Sequence, residues 1–170
     1  MPAQTLEKHP GLERLAKSIK GYDGYRTCDI RQKTDTAVRA HLINQLKSLL
    51  DRLGAEINAK EEKDQKKLEQ LVDKTKQKLG TICASLDDPT YTSGGFFGRE
   101  SIPIHSLQRL YDLEADMLDE TMNMDEEIAS LEQETLNKER VEDHFLHINN
   151  YIDDFNQSLF EREALILGDE

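Results

Sequence analysis

His144 and His147 stand three residues apart in a stretch with helical spacing, which puts two imidazoles on one face; Asp143 lies four residues before His147. Such a pair can hold zinc or nickel at a surface when a third ligand arrives from elsewhere in the fold. The plainer reading is that the two rings flank Phe145 and Ile148, which belong to an apolar stripe. Carboxylate-bridged di-iron bundles need Glu-x-x-His on two helices. Here the residues three before the five histidines are Leu6, Val38, Ile102, Val141 and His144, so that chemistry is excluded. No metal or other cofactor is expected.

A second cluster is acidic: Asp112, Glu114, Asp116, Asp119, Glu120, Asp125, Glu126 and Glu127. A calcium loop needs a glycine at its sharp turn. None occurs here, and the apolar residues keep helical spacing. The segment reads as a solvated acidic helix face, suited to a basic partner. Cys28 has Arg26 and Arg31 as neighbours but no adjacent histidine to act as a base, so a cysteine nucleophile is not expected. Gly94-Gly95-Phe96-Phe97-Gly98-Arg99 is glycine-rich yet follows no strand and fits no phosphate-binding fingerprint.

Aromatic residues give the best-located lead. Tyr22 and Tyr25 precede the first long helical pattern, and Tyr91, Phe96 and Phe97 lie in a later loop with Arg99 beside them. Both points fall at the same end of any antiparallel arrangement. The rings either plug the open end of a core or form an exposed patch for a partner. Tyr22, Tyr25, Tyr91, Phe96, Phe97 and Arg99 are therefore the expected partner-binding set, with one phenylalanine anchoring the loop and the other accessible.

The elements that must position these residues are helices. Pro10-Gly11 opens a short one over 10–20, with Leu12, Leu15 and Ile19 in phase. Ile30, Val38, Leu42, Leu46, Leu49 and Leu53 mark a helix over 26–53. Gly54 ends it, and Asn58 with Glu61 resembles a capping box. The next helix, 59–86, turns Leu68, Leu71, Val72, Leu79, Ile82 and Leu86 inward. A Gly- and aromatic-containing loop spans 87–103. Leu107, Leu110, Leu113, Met117, Met124, Ile128 and Leu131 form a stripe over 104–134, and Val141, Phe145, Ile148, Ile152, Phe155 and Leu159 another over 138–167, closed by Gly168.

Two all-α architectures satisfy this pattern. One is an antiparallel up-down bundle of about four helices, in a single helical domain over 1–170, with turns near Gly54–Asn58 and Glu134–Lys138. The other is a coiled-coil hairpin of two very long helices. A tight first turn would bring Cys28 within about one helical turn of Cys83 in the compact form, close enough for a disulfide to be feasible.

Charge divides sharply between the halves. Residues 1–86 carry 17 Lys and Arg against 12 Asp and Glu; residues 87–170 carry 5 against 22. A basic half followed by an acidic one suits a chain folded back on itself. The balance argues against nucleic acid as a partner. The longest purely apolar run is Ala164–Leu167, far short of the roughly 20 residues that span a bilayer, and Met1–Leu15 has no secretory pattern. With two cysteines, a cytoplasmic location is the default. Together these features predict a non-catalytic helical interaction module (adaptor, scaffold or assembly subunit) with a protein partner, homo-oligomerisation being open. The alternative is a small-molecule- or metal-binding bundle centred on His144 and His147.

Overall fold

A computed structural model of the chain describes residues 9–53, 62–88, 95–133 and 138–168. The expected turn at Gly54–Asn58, the Asn58–Glu61 cap, Glu134–Asn137, Tyr91 and Gly94 lie outside the described residues. Among the described residues there are five α-helices: α1 (Pro10–Ser18), α2 (Cys28–Leu53), α3 (Glu62–Leu86), α4 (Ile104–Gln133) and α5 (Lys138–Leu167), with a 3-10 turn at Gly95–Phe97. No strand occurs among the described residues. None of these helices is long and apolar enough to cross a membrane.

Local chemistry explains the ends. Pro10 supplies the preset φ of a first helical turn, and the His9 imidazole accepts from the Leu12 N–H. α1 stops at Ser18, two residues earlier than expected, because Ile19 turns to extended backbone. Gly24 has φ +78°, and a Cβ there would stand 2.9 Å from the Tyr111 hydroxyl. Only glycine meets both demands. Gly168, at φ +80°, closes α5 in the left-handed region, as a C-terminal cap should.

Side-chain pairings fix the topology. α4 and α5 make the most extensive helix–helix contact and run antiparallel, with Glu127 meeting His144 and Arg109 meeting Glu161 at the other end. α2 and α3 are also antiparallel: Arg39 donates to the carbonyl of Leu86, and Lys47, farther along α2, lies near Cys83, earlier on α3. Across the hairpins, neighbours are parallel. Arg52 near the end of α2 pairs with Asp125 and Glu132 near the end of α4, and Asn149 of α5 bonds Thr75 of α3. Helices α2 to α5 therefore alternate in direction along the chain, and around the ring of order α2–α3–α5–α4 the two antiparallel hairpins meet through the parallel neighbours α3–α5 and α4–α2, with α1 lying on α4. Two 60-residue helices cannot give these pairings, so the long-hairpin alternative falls.

The core is the union of the expected stripes: Val38 to Leu53, Leu68 to Leu86, Leu107 to Leu131 and Val141 to Leu159. Ile30 is a correction. It is half-buried, and Arg31, Thr34 and Asp35 take the inward face of that first stretch of α2. The charge asymmetry also has a visible counterpart. Arg14 and Arg52 of the basic half pair with Asp119, Asp125 and Glu132 of the acidic half. These pairs are exposed or partly so, and each adds at most about 1 kcal/mol.

The expected closeness of Cys28 and Cys83 is overturned. The register of α2 on α3 sets Arg39 level with Leu86, so Cys28 lies 11 residues beyond the end of α3, about 16 Å along the axis. Its thiol donates to the Phe97 carbonyl at 3.0 Å. Cys83 sits near Lys47, and burial pushes its thiol pKa up, partly offset by that lysine. Both cysteines are free. Mild oxidation followed by non-reducing mass analysis should therefore show no Cys28–Cys83 bond within the monomer, and finding one would contradict this register.

Candidate functional site

Three regions could carry function: a polar cluster inside the bundle, the histidine pair, and the outer face of α5. The interior cluster begins with residue types at unexpected positions. Asp35 continues the inward face of α2, Glu114 falls between Leu110 and Met117 on α4, and Arg162 falls between Leu159 and Ile166 on α5. All three are at most 1% exposed. Arg162 joins the two acids, donating from Nε to Glu114 at 2.8 Å and from Nη2 to Asp35 at 2.6 Å. Arg39 reaches the other Asp35 oxygen at 2.9 Å. Tyr22 and Tyr25 each donate a phenolic hydrogen to Glu114.

Burial shapes the titration of these groups. It raises the pKa of Glu114 above the ordinary value of 4.5, against the opposing pull of Arg162 and the two tyrosines. Burial, with the Glu114 charge, also raises Tyr22 and Tyr25 well above the ordinary phenol. Burial works against the charge on Arg162, but Tyr25, Glu114 and Asp35 outweigh it and hold its pKa well above the usual value. A carboxyl whose pKa is raised on folding contributes most stability below the unfolded pKa and loses it as pH rises through the folded one. The stability advantage of the native chain over Glu114→Gln, measured by denaturant titration, should thus be larger at pH 4 than at pH 7.

Buried arginine continues at the aromatic end. Arg31 donates to the carbonyls of Tyr25 at 2.9 Å and Phe96 at 3.1 Å, and also to that of Arg99. Its guanidinium lies 5.6 Å from the centre of the Phe96 ring. Tyr25 meets Phe96 edge-on at 5.6 Å and stacks on Tyr111 at 6.1 Å. The rings do converge at one end of the bundle, but they are packed inside. Tyr22, Tyr25, Phe96 and Phe97 are all buried, both phenylalanines at 6% exposure. They cannot form the exposed partner-binding patch expected from the sequence, and neither phenylalanine is the accessible one. The physical reason is that four aromatic faces and the Arg31 stem cover one another. Arg99 is exposed and lines a small cleft with Pro103, Ser106 and Gly168.

The histidine pair finds a third group in Glu127 of α4. One of its carboxylate oxygens lies 2.6 Å from Nδ1 of His144 and 3.1 Å from Nδ1 of His147. That carboxylate fills the space between the rings, and Asp143 is exposed beside them. Among the described residues no group of three or more His, Cys, Asp and Glu is disposed to hold a metal. The cluster ties α4 to α5. The acidic face needs correction at two positions: Glu114 is fully buried and Glu127 is mostly covered between the two histidines, whereas Asp112, Asp116, Asp125 and Glu126 are solvated as expected.

The outer face of α5 was not singled out by the sequence stripes, which end at the inward residues. Among the described residues the exposed large apolar side chains are Met122, Leu146, Phe160 and Leu167. Three of these are on α5, separated by 14 and then 7 residues, with Asp153 midway between the first two. Leu146 is 58% and Phe160 69% exposed. Leu146 borders an open groove of about 650 Å³ between α3 and α5, floored by Leu71, Thr75 and Phe145 and lipped by Lys67, Lys74 and Lys78. Farther up the same seam, Phe160 borders a shallower depression with Ser85, Asp153, Gln157 and Glu163.

The geometry defines an all-α bundle with a buried polar cluster and, on the outer side of α5, three exposed large apolar side chains. Compared with known proteins, the chain matches no family model, no curated protein and no solved structure.

Proposed function

We propose that the chain is a non-catalytic helical protein–protein interaction module, an adaptor, scaffold or assembly subunit, and that it docks through the outer face of α5 beside α3. The observation that carries this reading is the heptad-spaced exposure of Leu146, Phe160 and Leu167 on one helix. Isolated exposed apolar residues are ordinary. Three on one face at multiples of seven residues match the seam that a second helix covers. The interior polar cluster supports a structural role, because groups at most 1% exposed offer a substrate no approach.

Leu146→Ser combined with Phe160→Ser tests it. Both side chains are mostly in water, so stability should change by no more than about 0.5 kcal/mol each. Proteins that co-purify with the native chain should be lost from the variant. Unchanged co-purification would remove the docking face from α5.

A further inference from the structure

The α5 face carries more information than its apolarity. The Asn149–Thr75 bond sets the register of the parallel helices α3 and α5. That offset sets Lys67, Lys78 and Ser85 within one residue of the levels of Glu142, Asp153 and Phe160, in agreement with the residues that line the two depressions. The lower section is lipped by Lys67, Lys74 and Lys78 against the single acid Glu142, and the upper section by Asp153 and Glu163. Neither the three lysines nor the two upper acids have an ion-pair partner among the described residues. One face thus holds two sections of opposite, unspent charge, each with one large exposed apolar side chain: Leu146 below and Phe160 above.

Leu146 and Phe160 are each seven residues from Asp153. A twofold axis through Asp153 would lay α5 antiparallel on its own copy. Leu146 would meet Phe160 of the copy, and Phe160 would meet Leu146. The lysine-lipped section would meet the acidic section, with Lys67 near the level of Glu163 of the copy. At the axis two Asp153 carboxylates would approach, flanked by the two Lys78 ammonium groups that stand within one residue of their level. Glu142 and Asp143 also lie near the copy's Glu163, and Lys67 stands between them. A surface that is self-complementary under a twofold rotation is what an isologous dimer requires. We infer that the partner of this face is a second copy of the chain, bound antiparallel about Asp153. This rests on the reading of the outer α5 face as a docking surface and names what docks there.

The purified full chain, with Cys28→Ser and Cys83→Ala, tests the inference by sedimentation equilibrium and by cysteine pairing. A concentration-dependent dimer is expected. Asp153→Leu removes the like charges at the axis and completes the apolar seam, so it should tighten the dimer at least fivefold. Leu146→Glu should weaken it at least tenfold, with the helical circular dichroism unchanged because the site is exposed. Under mild oxidation Asp153→Cys should link to itself. Leu146→Cys should link to Phe160→Cys in a mixture but not to itself. A chain that stays monomeric through the concentration range overturns the inference, as does self-linking of Leu146→Cys, which would mean a parallel pair. A monomer that loses a different co-purifying protein on Leu146→Ser plus Phe160→Ser overturns the second copy and leaves the docking face standing. A dimer indifferent to Leu146→Glu and Asp153→Leu overturns the inference, and co-purification also unchanged by the serine pair would then overturn the docking face.

Discussion

Replacing Arg162 by Met should destabilise the chain by about 3–5 kcal/mol, the cost of leaving buried charge without its partner. Met keeps much of the apolar volume, so the loss isolates the ionic term from packing. Asp35 would retain Arg39, but Glu114 would keep only the two tyrosine hydroxyls. Denaturant titration with an unchanged slope gives the number directly. Adding Glu114→Gln and Asp35→Asn to Arg162→Met should restore part of the lost stability, since the uncompensated charges are then gone. A loss below about 1 kcal/mol for Arg162→Met would mean that the cluster does not hold α2, α4 and α5 together. A buried ion pair is a poor net stabiliser compared with an apolar core. Its value here lies in register, because only one mutual placement of the three helices lets Arg162 reach both acids.

Phe96→Ala should cost a similar amount, about 3–5 kcal/mol, as expected for a phenylalanine lost from a packed core. The ring touches Tyr25, Phe97 and the Arg31 guanidinium. Its removal opens a void where the Gly95–Phe97 turn closes the bundle. The same turn supplies the Phe96 carbonyl that Arg31 needs, so the loss should come with weaker protection of the amides around Tyr25 in hydrogen exchange. A variant that melts with the native chain would show that the ring does not plug the end.

The helices are legible because stripes such as Val38–Leu42–Leu46–Leu49–Leu53 repeat at helical steps for many turns, and signals such as Pro10 and Gly168 mark ends. Their observed bounds differ from expectation by no more than three residues. The polar cluster was hidden by the same logic that found the helices: Asp35, Glu114 and Arg162 sit at stripe positions, and an apolar-pattern reading steps over them. The signal was nevertheless present, as one charged residue per stripe, of both signs, on three helices. The cysteine pairing failed because hairpin register depends on the chain between Leu53 and Glu62, whereas Arg39 sets it from inside the bundle. The sequence pattern puts Tyr22, Tyr25, Phe96 and Phe97 at one end but does not reveal their burial, which depends on Tyr111 and Glu114, distant in sequence, and on Arg31 reaching across to the 95–99 turn. The α5 outer face is not legible in the sequence, because three apolar residues among many acids do not form a stripe until the inward face is known.

Assignment of docking to the outer face of α5 is tested most directly by site-specific photo-crosslinking in cells that express the native chain. A photoreactive residue is placed at Leu146, at Phe160 and, as a control, at the exposed Gln45 on α2. Positions 146 and 160 should each give a discrete protein adduct, at the mass of two chains if the partner is a second copy, and position 45 should give none. Adducts at 45 with none at 146 or 160 would contradict the assignment.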